Sequence, residues 1–339
     1  MGGVVLLASL LAMPCAGKVK RAESLQIYFV DVEGGQATLF VTPTAQSLLV
    51  DTGWAGFDGR DAKRIAAAAK AAGVKKIDYV VITHYHRDHV GGAPELEKRI
   101  KVGTFVDHGP NLENSDVTRS DYAAYEKVLA HAKHMVVKPG DTIPMEGLDV
   151  RVLTAAGEHV ATAVAGAGEE NSLCADEPVA AGDDSENARS LGLLVRYGSF
   201  RVLDLGDLTK KKELELVCPK NLVGRVDLFV VSHHGLAQSN SRALVDAVHP
   251  RVAVMDNGAR KGGSPEAWQT VHDSPGLEDL WQLHYSLEGG AEHNVEDSFV
   301  ANAEEGDKDR GYWIKVAAEW DASFTVVNAR NGSAKTYRK

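Results

Sequence analysis

The segment His84-Tyr85-His86-Arg87-Asp88-His89 carries four metal-binding side chains within six residues. Imidazole nitrogen and carboxylate oxygen are ligands that Zn²⁺, Mn²⁺ or Fe accept, whereas a site for a soft metal would use Cys or Met. None of the three Cys residues lies near this segment. Its first two His can point to the same side, and Asp88 and His89 then turn toward a neighbouring position. The segment predicts a metal site, and one short loop of this kind can serve two metals.

An apolar run typical of a buried strand, Ile77–Thr83, delivers this segment, and Gly91-Gly92 follow it as a tight exit into a helix over 93–100. Elsewhere, alternating or apolar runs predict strands over 25–32, 37–42, 47–50, 102–106, 135–137, 148–154, 191–197, 200–205, 226–231, 252–255, 313–317 and 323–328. Helical spacing predicts helices over 61–72, 120–132, 211–217 and 241–248. The order of these elements predicts an α/β fold with two βαβ-rich halves.

Three further groups of polar residues follow predicted strands, where α/β folds gather their chemistry. Asp207 follows a hairpin and is interpreted as a carboxylate that bridges two metals, although a turn residue is the alternative. Asp51 is expected to orient a ligand rather than to bind metal itself. Of the pair His233-His234, alternation at a strand end would turn one ring to the metals and the other to substrate, and we predict His234 as the ligand.

Two His residues lie on predicted loops and have weaker indications of function. His159 follows His89 by 70 residues, a plausible place for a third ligand to the first metal, and His108 is a candidate for the pocket lining. An ordinary surface position is the alternative for both. The long segment 155–185 lacks periodicity, and a long loop in a compact enzyme is often functional.

Composition limits the function classes. With 339 residues and 44% hydrophobic residues, the chain can build a sizeable core. A formal net charge of −10 disfavours non-specific binding to long nucleic acid or to an anionic membrane, because both require a basic surface. We therefore expect a small-molecule or cell-wall substrate as the partner.

The N-terminal segment carries an export prediction. Residues 4–16 are apolar over about a dozen positions, too short to span a bilayer, and small residues follow. We predict a signal peptide over 1–22, a domain over 23–335 that ends in a β-hairpin extension, and a periplasmic or extracellular location. No other segment is predicted to cross a membrane. In an oxidising compartment Cys174 and Cys218 are free to pair, but two separate thiols fit the sequence equally well.

These pieces together resemble the metallo-β-lactamase superfamily. The motifs that carry the resemblance span about residues 25–260 and are Asp51-Thr52-Gly53, the stretch from Thr83 to Gly92, Gly206-Asp207 and Ser232-His233-His234-Gly235. The opening Asp31-Val32-Glu33-Gly34-Gly35-Gln36-Ala37 and the stretch 187–194 are similar to the metallo-hydrolase domain of competence DNA-uptake proteins and of their stand-alone secreted relatives.

The resemblance implies an αββα sandwich, two mixed β-sheets flanked by helices, with a binuclear site at the edge between the sheets. It implies that His84 and His86 hold the first metal, that Asp88, His89 and His234 hold the second, and that Asp207 bridges. Two divalent ions are expected, Zn²⁺ first, with Mn or Fe as alternatives.

The chain also departs from the family at two points. It has Glu33-Gly34-Gly35-Gln36 where competence-type domains have Gly-Gln-Gly-Asp, and it lacks a Gly-His-Thr motif for the third ligand of the first metal.

The expected activity is hydrolysis by a hydroxide bridged between two metal ions, on a phosphodiester of small or cell-wall type. Asp88 and Asp207 would position the nucleophile, and His233 or His159 would stabilise developing negative charge. A lactonase or β-lactamase acting on a cyclic ester or amide would use the same ligands and is the second reading. A metal-dependent sensor that binds its ligand without turnover is the third.

Overall fold

The computed structural model describes residues 23–177, 182–304 and 310–339. The predicted signal peptide, residues 1–22, lies outside these ranges and stays a prediction. None of the helices in the described ranges has the length and apolar character that crossing a bilayer requires.

The described chain folds into strands and helices that alternate along much of its length. The strands are β1 (Leu25–Phe29), β2 (Thr38–Val41), β3 (Ser47–Val50), β4 (Lys76–Val81), β5 (Lys101–Asp107), β6 (Lys133–Val136), β7 (Thr142–Met145), β8 (Leu148–Ala155), β9 (Glu158–His159), β10 (Gly192–Tyr197), β11 (Phe200–Asp204), β12 (Leu228–Val230), β13 (Val252–Met255), β14 (Asp279–His284), β15 (Val300–Asn302), β16 (Ile314–Ala318), β17 (Phe324–Asn328) and β18 (Ala334–Tyr337). The helices are α1 (Arg60–Ala71), α2 (Arg87–Val90), α3 (Ala93–Glu97), α4 (Asp116–Leu129), α5 (Lys210–Val217), α6 (Arg242–Val248) and α7 (Pro265–His272).

The strands form two mixed sheets. The first has the order β18-β17-β16-β1-β2-β3-β4-β5-β6, and its strands from β3 to β6 are parallel. The second has the order β15-β14-β13-β12-β11-β10-β8-β7, with β9 paired to β8 and parallel pairing from β11 to β15. The C-terminal hairpin of β16 and β17 joins the first sheet beside β1.

Three hydrophobic clusters arrange these elements into four layers. The cluster between the sheets is built from strands of both, with Phe29, Val50 and Val81 on one side and Val202 and Val254 on the other. A second cluster packs α1, α3 and α4 on the outer face of the first sheet, and a third packs α5, α6 and α7 on the outer face of the second. The predicted αββα sandwich is confirmed.

Local sequence explains the outer helices. Helix α1 buries Ala62, Ile65 and Ala69, whose spacing of three and four residues places them on one face. Helix α4 begins where the Ser115 hydroxyl accepts the backbone N–H of Thr118, which caps the first turn. The predicted helix over 120–132 therefore starts earlier, at residue 116.

The C-terminal third contains elements that the pattern did not predict, namely α7, β14, β15 and β18. Every residue of strand β14 except the first is buried. The strand includes the polar side chains Gln282 and His284, so a hydrophobic pattern did not predict it. Their polar atoms have partners inside the fold: Gln282 accepts the backbone N–H of Val295, and His284 contacts Asp31.

The parallel strands align their carboxyl ends at one edge of the sandwich. Strands β3 and β4 of the first sheet and β11, β12 and β13 of the second all end there, and each is followed by polar residues that include the predicted ligands. Two sheets that face each other thus supply side chains to one place from both sides.

Cys174 and Cys218 are paired in the structure. Cys174 lies in a short turn and Cys218 directly follows α5, and the bond joins residues 44 positions apart. The pairing resolves the two alternatives that the sequence left open.

Removal of this disulfide should lower stability without moving the centre. We expect Cys174→Ser to reduce the free energy of unfolding by about 2–4 kcal/mol, because the bond closes a loop of this length in the unfolded chain. Denaturant unfolding of both proteins, with and without a reductant, measures the effect. Equal stability of the two proteins under oxidising conditions would contradict it.

Candidate metal centre

The first ligand segment leaves β4 in an extended conformation and then turns into a helix. His84 and His86 precede α2, whereas Asp88 and His89 lie within it. The two glycines after the helix have negative φ, so a left-handed turn does not require them. A Cβ on Gly92 would instead lie 1.9 Å from the Thr52 carbonyl oxygen, so glycine permits the close approach of two segments.

Four buried ligand atoms meet at the edge between the sheets. Those of Asp88, His89, Asp207 and His234 all lie within 4.8 Å of one another. The Nε2 atoms of His89 and His234 are 3.2 Å apart, and each lies 3.2–3.4 Å from a carboxylate oxygen of Asp88 and of Asp207. A tetrahedral zinc site with bonds of about 2.0–2.1 Å spaces its ligand atoms about 3.3–3.4 Å apart. The four residues fit one such ion.

Asp207 has two oxygens that face different partners. Its Oδ1 lies beside His89 and His234, whereas its Oδ2 lies 3.3 Å from Nε2 of His233 and 3.8 Å from Nε2 of His84. Because one carboxylate faces two groups of imidazole nitrogens, it is placed to join two ions. The bridging role that the sequence predicted for Asp207 stays a prediction, which this arrangement supports.

The hydrogen bonds of His84 leave one nitrogen for a cation. The hydroxyl of Thr83 donates to Asp51 and so accepts from Nδ1 of His84. The Nε2 atom of His84 is buried and has no hydrogen-bond partner in the part of the chain that the structure describes. A buried nitrogen of this kind costs free energy unless a ligand takes it, so it supports a metal site.

Carboxylates hold three more imidazole rings of the centre. Nδ1 of His89 donates to Asp51 over 2.7 Å, and Nδ1 of His234 donates to Asp256 over 3.2 Å. Each bond fixes the ring and leaves Nε2 for a metal, as second-shell carboxylates do in zinc proteins. Asp51 contributes no ligand atom to the four-residue cluster and contacts Nδ1 of His89 instead.

A carboxylate also holds the ring of His86, but through Nε2 rather than Nδ1. Its Nε2 lies 3.2 Å from Oε2 of Glu113, so its Nδ1 is the nitrogen left for a metal. Glu113 comes from the loop before α4, and its other oxygen accepts the hydroxyl hydrogen of Thr118.

The sequence interpretation missed Glu113, Asp256 and Lys261, whose ammonium contacts Oδ2 of Asp88. Asp256 directly follows β13, the same signal that identified Asp207. Glu113 and Lys261 lie on loops, and no spacing in the sequence pointed to them.

The structure corrects the reason given for choosing between His233 and His234. These residues form a tight turn after β12 in which both have φ of 54°, so the alternation of a strand does not apply. Both rings reach Asp207, His233 at Oδ2 and His234 at Oδ1. His233 is therefore part of the centre and not turned away from it.

The structure does not bring His159 to this cluster. Strand β9 pairs it with β8, its ring lies 3.7 Å from the carboxylate of Glu215, and a third of the side chain is exposed. His108 is buried and contacts Oε1 of Glu186, whose Oε2 is buried without a hydrogen-bond partner among the described residues.

The carboxylates at the centre favour positive charge on the groups between them. Burial opposes a charge on His89, yet the carboxylates of Asp207, Asp88 and Asp51 outweigh it and raise the pKa of His89 well above the ordinary value. Burial likewise opposes a charge on His234, as Lys261 does, but Asp207 and Asp256 raise its pKa to about 10. Two protons on Nε2 atoms 3.2 Å apart would repel. A single metal ion would replace both, so the residues present fit the group.

The comparisons with known proteins agree with this geometry. Residues 30–168 match the model of the metallo-beta-lactamase superfamily. The chain is 26% identical over 190 residues to ComE operon protein 3 of Bacillus subtilis, covering 56% of this chain and 21% of that protein. It is 26% identical over 234 residues to Recombination protein 2 of Haemophilus influenzae, covering 69% and 24%. The chain thus spans about a quarter or less of these curated relatives.

Two further comparisons are more distant. A hydroxyacylglutathione hydrolase of Rhodopseudomonas palustris is 30% identical over 103 residues, which cover 30% of this chain and 34% of that protein. Among solved structures, the diiron beta-hydroxylase CmlA of Streptomyces venezuelae superposes with a TM-score of 0.42 at 17% identity, over 74% of this chain and 47% of that one.

The match over residues 30–168 confirms the predicted resemblance to the metallo-β-lactamase superfamily, including that to competence proteins. The fold, this match and the candidate metal site are consistent with a metallo-hydrolase.

Loss of the Glu113 carboxylate should weaken one metal site and spare the other. We expect Glu113→Gln to reduce the affinity of the more weakly held metal by about 10–100-fold, because removing an outer carboxylate releases the ring of His86. Metal content after dialysis against a graded series of chelator concentrations measures this. Glu126→Gln, an exposed change on α4, is the matched control.

Replacing His86 by Ala should leave one metal per chain in the same assay. If His86→Ala still retained two metals, the assignment of His86 as a metal ligand would be wrong. If Glu113→Gln and the control bound the metal with equal affinity, the role of Glu113 in holding the ring of His86 would be wrong.

Asp204 should make stability depend on pH. Burial raises the pKa of Asp204 to about 7, although Gln36 donates to it over 2.7 Å. The protonated acid stabilises the fold fully below about pH 4, and this contribution is lost as the pH rises to about 7. Relative to Asp204→Asn, the metal-free protein should lose roughly 2 kcal/mol between pH 5 and pH 8. Denaturant unfolding of both proteins at the two pH values tests this, and a constant difference would contradict it.

Proposed function

We propose that this protein is an exported binuclear metallo-hydrolase that cleaves a phosphodiester of small or cell-wall type. The observation that carries the proposal is the placement of Asp207, whose two oxygens face two separate groups of imidazole nitrogens. A pair of divalent ions held there would supply Lewis acidity and lower the pKa of a water molecule. His84, His86 and Asp207 would hold the first ion, and Asp88, His89, Asp207 and His234 the second.

Asp88 and His233, the two residues expected to act in catalysis, differ in how readily they accept a proton. Burial opposes a charge on Asp88, but His89 and Lys261 outweigh it and hold the pKa of Asp88 well below the ordinary value. A carboxyl group that stays ionised binds cations well and accepts a proton poorly, so we assign Asp88 the role of ligand.

His233 is suited to move a proton. Burial lowers its pKa below the ordinary value of an imidazole, which favours the neutral ring. Its Nδ1 lies 3.2 Å from the hydroxyl of Ser239, and its Nε2 faces Asp207 and the amide of Asn187. A neutral ring at this position can take a proton from a nucleophile or donate a hydrogen bond to an oxygen that gains charge.

Export is supported by the paired cysteines, since disulfides persist in oxidising compartments. The acidic chain supports a small substrate over long nucleic acid. The second candidate is a hydrolase of a carbonyl compound such as a lactone. The similarity to a protein named hydroxyacylglutathione hydrolase favours it, and the same ligands would serve.

A substrate panel separates these candidates. The metal-loaded protein should hydrolyse bis-p-nitrophenyl phosphate and leave nitrocefin and a homoserine lactone unchanged, and a chelator should abolish the activity. The opposite preference would replace the leading proposal by the second. Two bound metals with no turnover of any substrate would favour a binding protein.

Asp207→Asn should lower kcat by at least about 10³-fold, because it removes the charge shared between the two ions. Asp149→Asn, an exposed change on β8, is the control and should match the parent protein. Steady-state kinetics on the diester and metal analysis of both variants measure the effect. Full activity of Asp207→Asn would rule out the bridging role.

A further inference from the structure

We infer that Lys261 binds an anionic group of the substrate beside the metal centre, so that the natural substrate carries a negative charge next to the bond that is cleaved. The inference rests on the proposed function and narrows the substrate class, because a lactone or a neutral ester carries no such charge.

The backbone around Lys261 is held firmly between β13 and α7. The N–H of Gly258 donates to the carbonyl of Lys261 over 2.8 Å, and the N–H of Gly263 donates to the carbonyl of His234 over 2.9 Å. The loop is therefore tied to the ligand turn itself. A Cβ on Gly34 would lie 2.9 Å from the Lys261 carbonyl oxygen, so the opening loop of the first sheet also packs against it.

The ammonium group is placed at the border between the centre and solvent. Nζ of Lys261 contacts Oδ2 of Asp88 and lies 5.1 Å from the centre of the Trp54 ring, and the side chain is 29% exposed. The stem is thus anchored at its base while its charged end can be reached from outside. The Trp54 ring offers that end a second favourable position, through a cation–π contact.

A metal bound by Asp88 would compete with Lys261 for the charge of this carboxylate. The oxygen that contacts Lys261 is also the one that lies 3.3 Å from Nε2 of His89 and 3.2 Å from Nε2 of His234. It is therefore a ligand atom of the four-residue cluster. A divalent ion there would take over the negative charge of Asp88 and repel the nearby ammonium group.

A weaker attraction to Asp88 would leave the ammonium group, 5.1 Å from the centre of the Trp54 ring, better able to bind an anionic ligand. A phosphate oxygen is a fitting partner, because the ammonium of lysine is a compact charge with three donors. Arg87, the cationic residue next to Asp88 in sequence, faces Asp121 over 3.4 Å and so has a carboxylate of its own. Lys261 would thus exchange Asp88 for an anionic group of the substrate, unlike a lysine in a fixed ion pair.

The test uses inorganic phosphate as a probe and needs no turnover. Isothermal titration of phosphate into metal-loaded protein should show binding weakened about 10–100-fold in Lys261→Met, the loss expected for a charge-assisted hydrogen bond. Lys261→Arg should restore part of it. Lys315→Met is the matched control, because Lys315 also lies over an aromatic ring, that of Tyr28 at 5.2 Å, but on β16.

Kinetics provide a second readout. The ratio of kcat/KM for bis-p-nitrophenyl phosphate to kcat/KM for neutral p-nitrophenyl acetate should fall about 10–100-fold in Lys261→Met. A rise in KM for the diester should account for the fall. An unchanged ratio together with unchanged phosphate binding would overturn the inference.

The outcomes separate this inference from the proposed function. Phosphate binding that depends on Lys261 in a protein without diesterase activity would support the anion site and refute the phosphodiesterase proposal. Diesterase activity that is unchanged in Lys261→Met would support the phosphodiesterase proposal and refute the anion site. A Lys261→Met variant that binds metals more weakly, yet binds phosphate normally once loaded, would show that Lys261 only neutralises Asp88 and would overturn the inference.

Discussion

The structure depends on a buried carboxylate that cannot be neutralised by any one neighbour. Asp207 is almost fully buried and has imidazole nitrogens on both of its oxygens. Burial opposes its charge, but His89 above all, with His234, holds its pKa well below the ordinary value. A charge at such depth is tolerated only with partners of opposite sign on every side. The ends of β4, β11 and β12 bring those partners to one edge from two different sheets.

Asp207 is one of several acidic groups at this edge, and their arrangement explains why so many imidazoles surround them. Asp51 and Asp256 hold the outer nitrogens of His89 and His234, and Asp88 with Asp207 faces the inner ones. The outer carboxylates make the inner nitrogens better electron donors and fix where they point.

Some of this organisation could be predicted from sequence, and the reason is local spacing. His84, His86, Asp88 and His89 were found because they lie within six residues, and Asp207 because it follows a strand. The choice between His233 and His234 rested on strand alternation, which a turn with positive φ at both residues removes.

Contacts across long sequence distances could not be predicted in this way. Lys261 meets Asp88 from 173 residues away, and Glu186 meets Tyr85 from 101. Gln36 stands where the competence-type pattern has an Asp, and its partner Asp204 lies 168 residues away in the other sheet. Two facing acids there would compete for one proton, so the amide suits this packing. Only the folded arrangement of the two sheets reveals such pairs.

The two halves of the centre also differ in how completely the protein encloses them. Around Oδ1 of Asp207, four buried ligand atoms have the spacing of a closed tetrahedral site. Around Oδ2 the nearest ring nitrogens are those of His233 and His84, at 3.3 and 3.8 Å, and His86 is 29% exposed.

Catalytic metal sites keep a position open for water or substrate, whereas structural sites are filled by protein ligands. By that criterion the half at Oδ1 has more of the character of a closed site, and the half that contains His84 and His86 has more of the character of an open one.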